Sequence, residues 1–155
     1  MKRFAIFAAL LACANPAIAQ TAVQPSVNYA TAPVAAGTWS YVPLPGGSDA
    51  RFTDTTGTMR LVIHCTKASR VVTVSRISTA PASALQVWTD SATRNLAARF
   101  EPNAFRISAN IAAQDRLLDA IAFSRGRFAI IAGGIETLVV PAWPEPARVV
   151  EDCRN

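Results

Sequence analysis

The chain is short of the residues that most often build reactive centres: one histidine, three cysteines and only 16% charged side chains among 155 residues. A lone histidine excludes a multi-histidine metal site, and no short paired cysteine spacing offers a zinc knuckle. No phosphate-cradling glycine loop, calcium loop or dinucleotide fingerprint occurs, so no cofactor and no metal site are expected. Low charge beside 51% hydrophobic residues excludes a wholly disordered chain. Ten prolines and seven glycines exclude a long-helix or coiled-coil protein. The length suits one domain and not two comfortable cores.

The first 19 residues read as a secretory signal peptide. Lys2 and Arg3 supply the basic start, Phe4–Ala12 an uncharged apolar run, and Asn15-Pro16 a break. Ala17-Ile18-Ala19 then gives the small–x–small pattern of a cleavage site, placing the cut between Ala19 and Gln20. The apolar run falls well short of the ~20 residues that span a bilayer, so the mature protein is expected not to span a membrane. A rival reading makes Leu10-Leu11-Ala12-Cys13 a lipobox and Cys13 a lipidated anchor. The expected compartment is periplasmic or secreted.

Removing Lys2 and Arg3 takes fifteen basic residues to thirteen against ten acids, a net charge of +3. That modest charge on an exported chain argues against nucleic acid as a partner. Cysteine falls to Cys65 and Cys153. An even count in an oxidising compartment predicts a disulfide between them.

Residues 20–37 carry no charge and no period, and are expected as a flexible leader before a single domain over 38–155. From Trp39 the dominant period is two. Met59, Leu61, Ile63 and Cys65 alternate with Arg60, Val62, His64 and Thr66; Val72 and Val74 alternate with Thr73 and Ser75. Phe105, Ile107, Ala109 and Ile111 alternate with Arg106, Ser108 and Asn110. Phe128–Ala132 and Ile135–Val140 flank Gly133-Gly134, which reads as a two-residue hairpin turn. Weaker strands are expected at Ala50–Thr53, Leu85–Thr89 and Asn95–Phe100. Eight or nine short strands separated by turn signals predict a mainly β fold, an antiparallel β-sandwich or small barrel. Two helices interrupt it: Arg116–Phe123, capped by Asp115 and ended by Gly126, and a C-terminal helix opened by Pro144 and Pro146. On the latter, Val149, Val150 and Cys153 share one face.

Candidate site residues are few. His64 has no acid near it in sequence and no nucleophile-elbow glycines surround any serine, so an exposed strand histidine is expected. The carboxylate pairs Asp115/Asp119 and Glu151/Asp152 read as surface charge. Of the thirteen mature basic residues, only Lys67 is lysine. Arg60, Arg76 and Arg106 are expected to project from strands as a positive face for anionic lipid head groups or glycans, since guanidinium forks grip phosphate and carboxylate. Trp39, Tyr41, Trp88 and Trp143 are expected to cap the core.

The run from Trp39 to the strand ending at Cys65, the Asp115-Arg116-Leu117-Leu118-Asp119-Ala120-Ile121 helix followed by Gly126, and the terminal helix with Cys153 resemble a known layout. It is that of small exported proteins of the invasion-associated locus B type and of periplasmic accessory proteins of type VI secretion. The stretch from Leu138 through Trp143 to Cys153 resembles the ending of other exported bacterial proteins. The chain departs from the locus B pattern in having one cysteine pair. The resemblance implies a β-sandwich envelope protein and brings no catalytic residues. The expected function is therefore a non-enzymatic binding or accessory module whose partner is an envelope protein or an anionic glycan or lipid head group. Two rivals stand beside it. One is an inhibitor of a secreted hydrolase, using Pro43–Asp49 as an exposed loop; the other is a small hydrolase, for which His64 would need Ser and Asp brought in by the fold.

Overall fold

Period-two alternation sends one set of side chains to each side of a strand. Here it builds two antiparallel sheets. The computed structural model describes residues 28–155; the expected signal peptide, its expected Ala19–Gln20 cleavage site and Cys13 lie outside the described residues. Ten strands follow in order: β1 (Gly37–Leu44), β2 (Gly47–Asp54), β3 (Met59–Thr66), β4 (Val71–Ile77), β5 (Ala84–Trp88), β6 (Thr93–Ala97), β7 (Arg99–Glu101), β8 (Arg106–Ala112), β9 (Arg127–Ile131) and β10 (Leu138–Pro141). One sheet runs β1-β2-β3-β4-β8-β7 and the other β10-β9-β5-β6. Trp39, Phe52, Leu61, Ile63, Val74 and Ile107 from the first and Leu85, Val87, Phe128 and Ile130 from the second share one buried cluster. That is a sandwich core.

The second sheet has only four strands to cover six. Two helices complete the layer: α1 (Arg116–Ala122) and α2 (Pro144–Arg154). The Asp115 side chain accepts from the Leu117 amide at 2.8 Å, the expected cap, and Leu117, Leu118 and Ile121 are buried. Pro144 and Pro146 open α2, where missing N–H groups cost nothing. α2 packs on β1 to β4 and on α1. The predicted bond is present: Cys153 joins Cys65 of β3, with Cα atoms 5.4 Å apart. Around it, Tyr41 Oη and Ser48 Oγ each donate to Asp152 Oδ2 at 2.7 Å, and the Arg148 guanidinium lies 3.9 Å from the Tyr41 ring centroid.

Several expectations are corrected. Residues 28–36, read as part of a flexible leader, lie against the outer face of the smaller sheet: the Ala35 amide donates to the Val139 carbonyl, Arg127 donates to the Ala32 carbonyl, and Tyr29 packs on Trp88. Ala129 and Val139 on that face are buried. Phe105 does not begin β8. It takes a left-handed conformation (φ 48°) after a 3₁₀ turn and is 59% exposed. Gly133-Gly134 is not a two-residue hairpin turn, because Leu138 pairs with Ile130 and residues 132–137 form the connection; only Gly134 has positive φ (80°).

Candidate functional site

Strand pairing places a polar row across the outer face of the six-stranded sheet. Asp49 of β2 pairs with His64 of β3, His64 with Thr73 of β4, and Thr73 with Asn110 of β8. The next row holds Arg51, Val62, Ser75, Ser108 and Arg99. These side chains engage one another. His64 Nδ1 is 2.6 Å from Asp49 Oδ1, while Arg51 Nη2 and Nε reach Asp49 Oδ2 at 2.6 and 3.0 Å. Asp49 is only 6% exposed. A carboxylate only accepts, so Nδ1 carries a hydrogen and donates to Asp49. Thr73 donates to Asn110 at 2.8 Å, and Ser75 and Ser108 share a 2.9 Å hydroxyl pair.

A depression of about 310 Å³ opens over these rows, lined by Asp49, His64, Val62, Thr73, Ser75 and Arg106 among others. Arg106 donates to Glu101 Oε2 at 2.7 and 3.1 Å. That hydrogen bond, more than the opposing desolvation, holds the Glu101 carboxyl below the usual carboxylate range, with Ser108 and Arg99 adding to it. Arg51, Arg99 and Arg106 face two carboxylates, Asp49 and Glu101, which leaves one formal positive charge before His64 is counted.

The three arginines expected to share a face do not. Only Arg106 lies at the depression. Arg60 sits where the β2–β3 register shifts and two residues of β3 oppose one of β2. Such a bulge re-aims the side chain. Its guanidinium pairs with Asp54 at 3.0 Å and Glu136 at 3.3 Å. Hydrogen bonds from Thr56 and then Arg60 pull the Asp54 carboxyl down to about 2. Arg76 pairs with Leu61 and Ile107, so the pleat turns it inward with Val72 and Val74. It is 3% exposed, donates from Nη1 to the Arg60 and Ile77 carbonyls at 3.0 Å, and its Nε has no partner. Burial, with Arg60 nearby, lowers it to about 10.

Pro43–Asp49 is exposed only at Pro43, Pro45 and Gly46 and is not an irregular loop. It forms the tip of the β1–β2 hairpin, with Leu44 paired to Gly47 across Pro45-Gly46, and Ser48 and Asp49 are buried. Conversely, Asp49 is the acid that a reading of His64 by sequence proximity misses. The register of the β2–β3 hairpin creates the contact, since antiparallel pairing brings residues 15 apart face to face. No three His, Cys, Asp or Glu side chains among the described residues group to hold a metal, and no helix among them is long and apolar enough to cross a membrane. No protein-family model, curated protein or solved structure matches the chain.

Proposed function

We propose that the chain is an exported, non-enzymatic binding module of the bacterial envelope, and that the outer face of its six-stranded sheet holds the anionic group of its ligand. The observation that carries this reading is one depression presenting His64, Arg106, Thr73 and Ser75 together. Cross-strand hydrogen bonds already fix these side chains, so little ordering remains to oppose binding. The basic–apolar–small pattern of residues 1–19 and the Cys65–Cys153 bond both suit an oxidising compartment outside the cytoplasm. Carboxylate and phosphate are the chemistry that an arginine fork recognises, and acidic glycans and lipid head groups both offer it.

The test measures binding of the protein to phosphatidylglycerol vesicles and, separately, to polygalacturonate. Binding to one source identifies it, and that binding falls with added salt, since exposed charges are screened over about 8 Å at physiological ionic strength. Arg106→Ala weakens it about tenfold, the loss of one charge-assisted hydrogen bond. Absence of binding to both at low salt, or an Arg106→Ala variant that binds like the parent, overturns the reading.

One observation favours a hydrolase as the second reading. An imidazole oriented by a buried carboxylate is half of a nucleophilic triad. Against it, Ser75 bonds Ser108 and Thr73 bonds Asn110, which commits both hydroxyls to the sheet. Ester hydrolysis lost in both His64→Ala and Ser75→Ala would decide for the enzyme.

A further inference from the structure

The opposite face of the sandwich carries a different chemistry. A depression of about 440 Å³ lies on the outer side of the four-stranded sheet, where residues 28–36 cross it and the connection 132–137 forms its wall. Not one residue lining it is charged, in a chain with 25 charged side chains (15 basic and 10 acidic). Its polar groups are amides and a hydroxyl. Gln86 of β5 and Asn95 of β6 are direct cross-strand partners, and Gln86 Nε2 donates to Asn95 Oδ1 at 2.9 Å. That bond uses one hydrogen of one amide. The Asn95 amino group and the Gln86 oxygen stay free, and if the pair is read the other way round one amide NH₂ and one amide oxygen are still left over. Thr137 adds a hydroxyl beside them.

The remaining walls are apolar or aromatic: Ile131, Ile135 and Tyr29. Tyr29 is held in place. The Asn28 carbonyl accepts from the Thr31 and Ala32 amides at 3.1 and 3.0 Å, and the Tyr29 ring packs on Trp88 with centroids 5.7 Å apart and planes tilted by 52°. A methyl group added at Gly133 or Gly134 would meet nothing within 4 Å, so the backbone there stands open to an approaching ligand.

We propose that this depression is a second binding site, and that it takes a neutral sugar ring. A charged ligand would find no countercharge there. A wholly apolar one would bury the Gln86 and Asn95 amides without partners, which costs a few kcal/mol in general. A sugar ring meets both demands, with hydroxyls for the amides and a C–H face for Tyr29 and the two isoleucines. The site is independent of the anion-binding face, since the two lie on opposite sides of the sandwich.

The experiment is an amide NMR titration of the disulfide-bonded protein with two neutral probes, maltotriose and N,N′-diacetylchitobiose. The expected result is saturable shifts with at least one probe at Gly133, Gly134 and the side-chain amides of Gln86 and Asn95, with His64 and Thr73 unmoved. Asn95→Ala and Tyr29→Ala each weaken that binding about tenfold, the scale of one lost hydrogen bond or ring contact. Because Asn95 is exposed on an edge strand, its variant keeps the fold if Tyr29→Ala does not. No response to either probe, shifts confined to the His64 face, or parental affinity in Asn95→Ala overturns the proposal.

Discussion

The inner face of the six-stranded sheet is covered twice, by different means. Over one part the smaller sheet supplies interdigitating apolar side chains, with Trp39 packed between Phe52 and Phe128 at centroid distances of 5.4 and 6.1 Å. Over the other part α2 supplies Val149 and Val150, one covalent bond and one carboxylate. The first cover spreads its attachment over many residues from distant parts of the chain. The second concentrates it in residues 148–154. A small domain with a limited core gains from the second device, because a cross-link restricts the unfolded chain and needs no further apolar area. The two covers should therefore fail differently.

The largest effect is expected at the bond. Cys153→Ser opens a loop with a sequence separation of 88 residues. Chain-entropy reasoning gives up to about 4–5 kcal/mol for a loop of that size, reduced by native strain and residual unfolded structure. For a domain of this length that is a fall in Tm of roughly 10–20 °C. Thermal melts check it, and limited proteolysis should cut first within α2. A fall of only a few degrees, or cuts that begin in the smaller sheet, would erase the contrast.

Phe128→Ala is next, at about 3–5 kcal/mol for a fully buried phenylalanine. Here the damage is shared. Native-state hydrogen exchange should speed up across β5, β9 and β10 while the amides of α2 keep their relative protection.

Much of this frame was legible in the sequence, and the reason is physical. Alternation at Ile107, Ala109 and Ile111, the Asp115 cap and the prolines at the head of α2 are local signals that packing did not override. The cysteine pair was readable from the even count left once residues 1–19 are set aside. Arg76 is the instructive failure. Its parity with Val72 and Val74 already pointed inward, but its charge argued for the surface, and the pleat prevailed because two main-chain carbonyls could receive Nη1. The Asp49–His64 contact and the bulge at Arg60 were out of reach because they depend on register, which no local period encodes. The uncharged depression depends on residues 28–36 folding back onto the sheet, a long-range contact with no period of its own.

Arg76 also gives the next prediction, of smaller size and opposite sign. A buried cation with an unpaired Nε and no carboxylate within 4 Å among the described residues carries a desolvation penalty that nothing offsets in full. Arg76→Met keeps the volume and removes the charge. The expected gain is about 1 kcal/mol, read as a rise of a few degrees in Tm. A clear loss would mean that the bonds to the Arg60 and Ile77 carbonyls matter more than the buried charge costs, and that this end of the sheet is pinned by polar contacts much as the α2 end is.

The smallest effect is in pH, and it separates the two covers without altering a core residue. Burial works against the Asp152 carboxylate. Hydrogen bonds from Tyr41 and Ser48, with the charges of Lys67 and Arg148, outweigh that and hold it below the usual aspartate range. A carboxyl that binds its proton less tightly folded than unfolded contributes fully above the ordinary value near 4, and loses that contribution as pH falls through its lower folded value. Acidifying from pH 6 to pH 3 should therefore loosen the attachment of α2. Asp54, Glu101 and Asp115 are shifted in the same direction, so global stability declines over the same window. The informative quantity is the difference between the parent and Asp152→Asn, whose amide cannot titrate. In the parent, protease cleavage within residues 144–154 should accelerate at pH 3 relative to cleavage in the smaller sheet. In Asp152→Asn the ratio should already be raised at pH 6 and change little on acidification. An equal acid response in both proteins would remove Asp152 from the attachment and leave the disulfide and the apolar face of α2 to hold the helix.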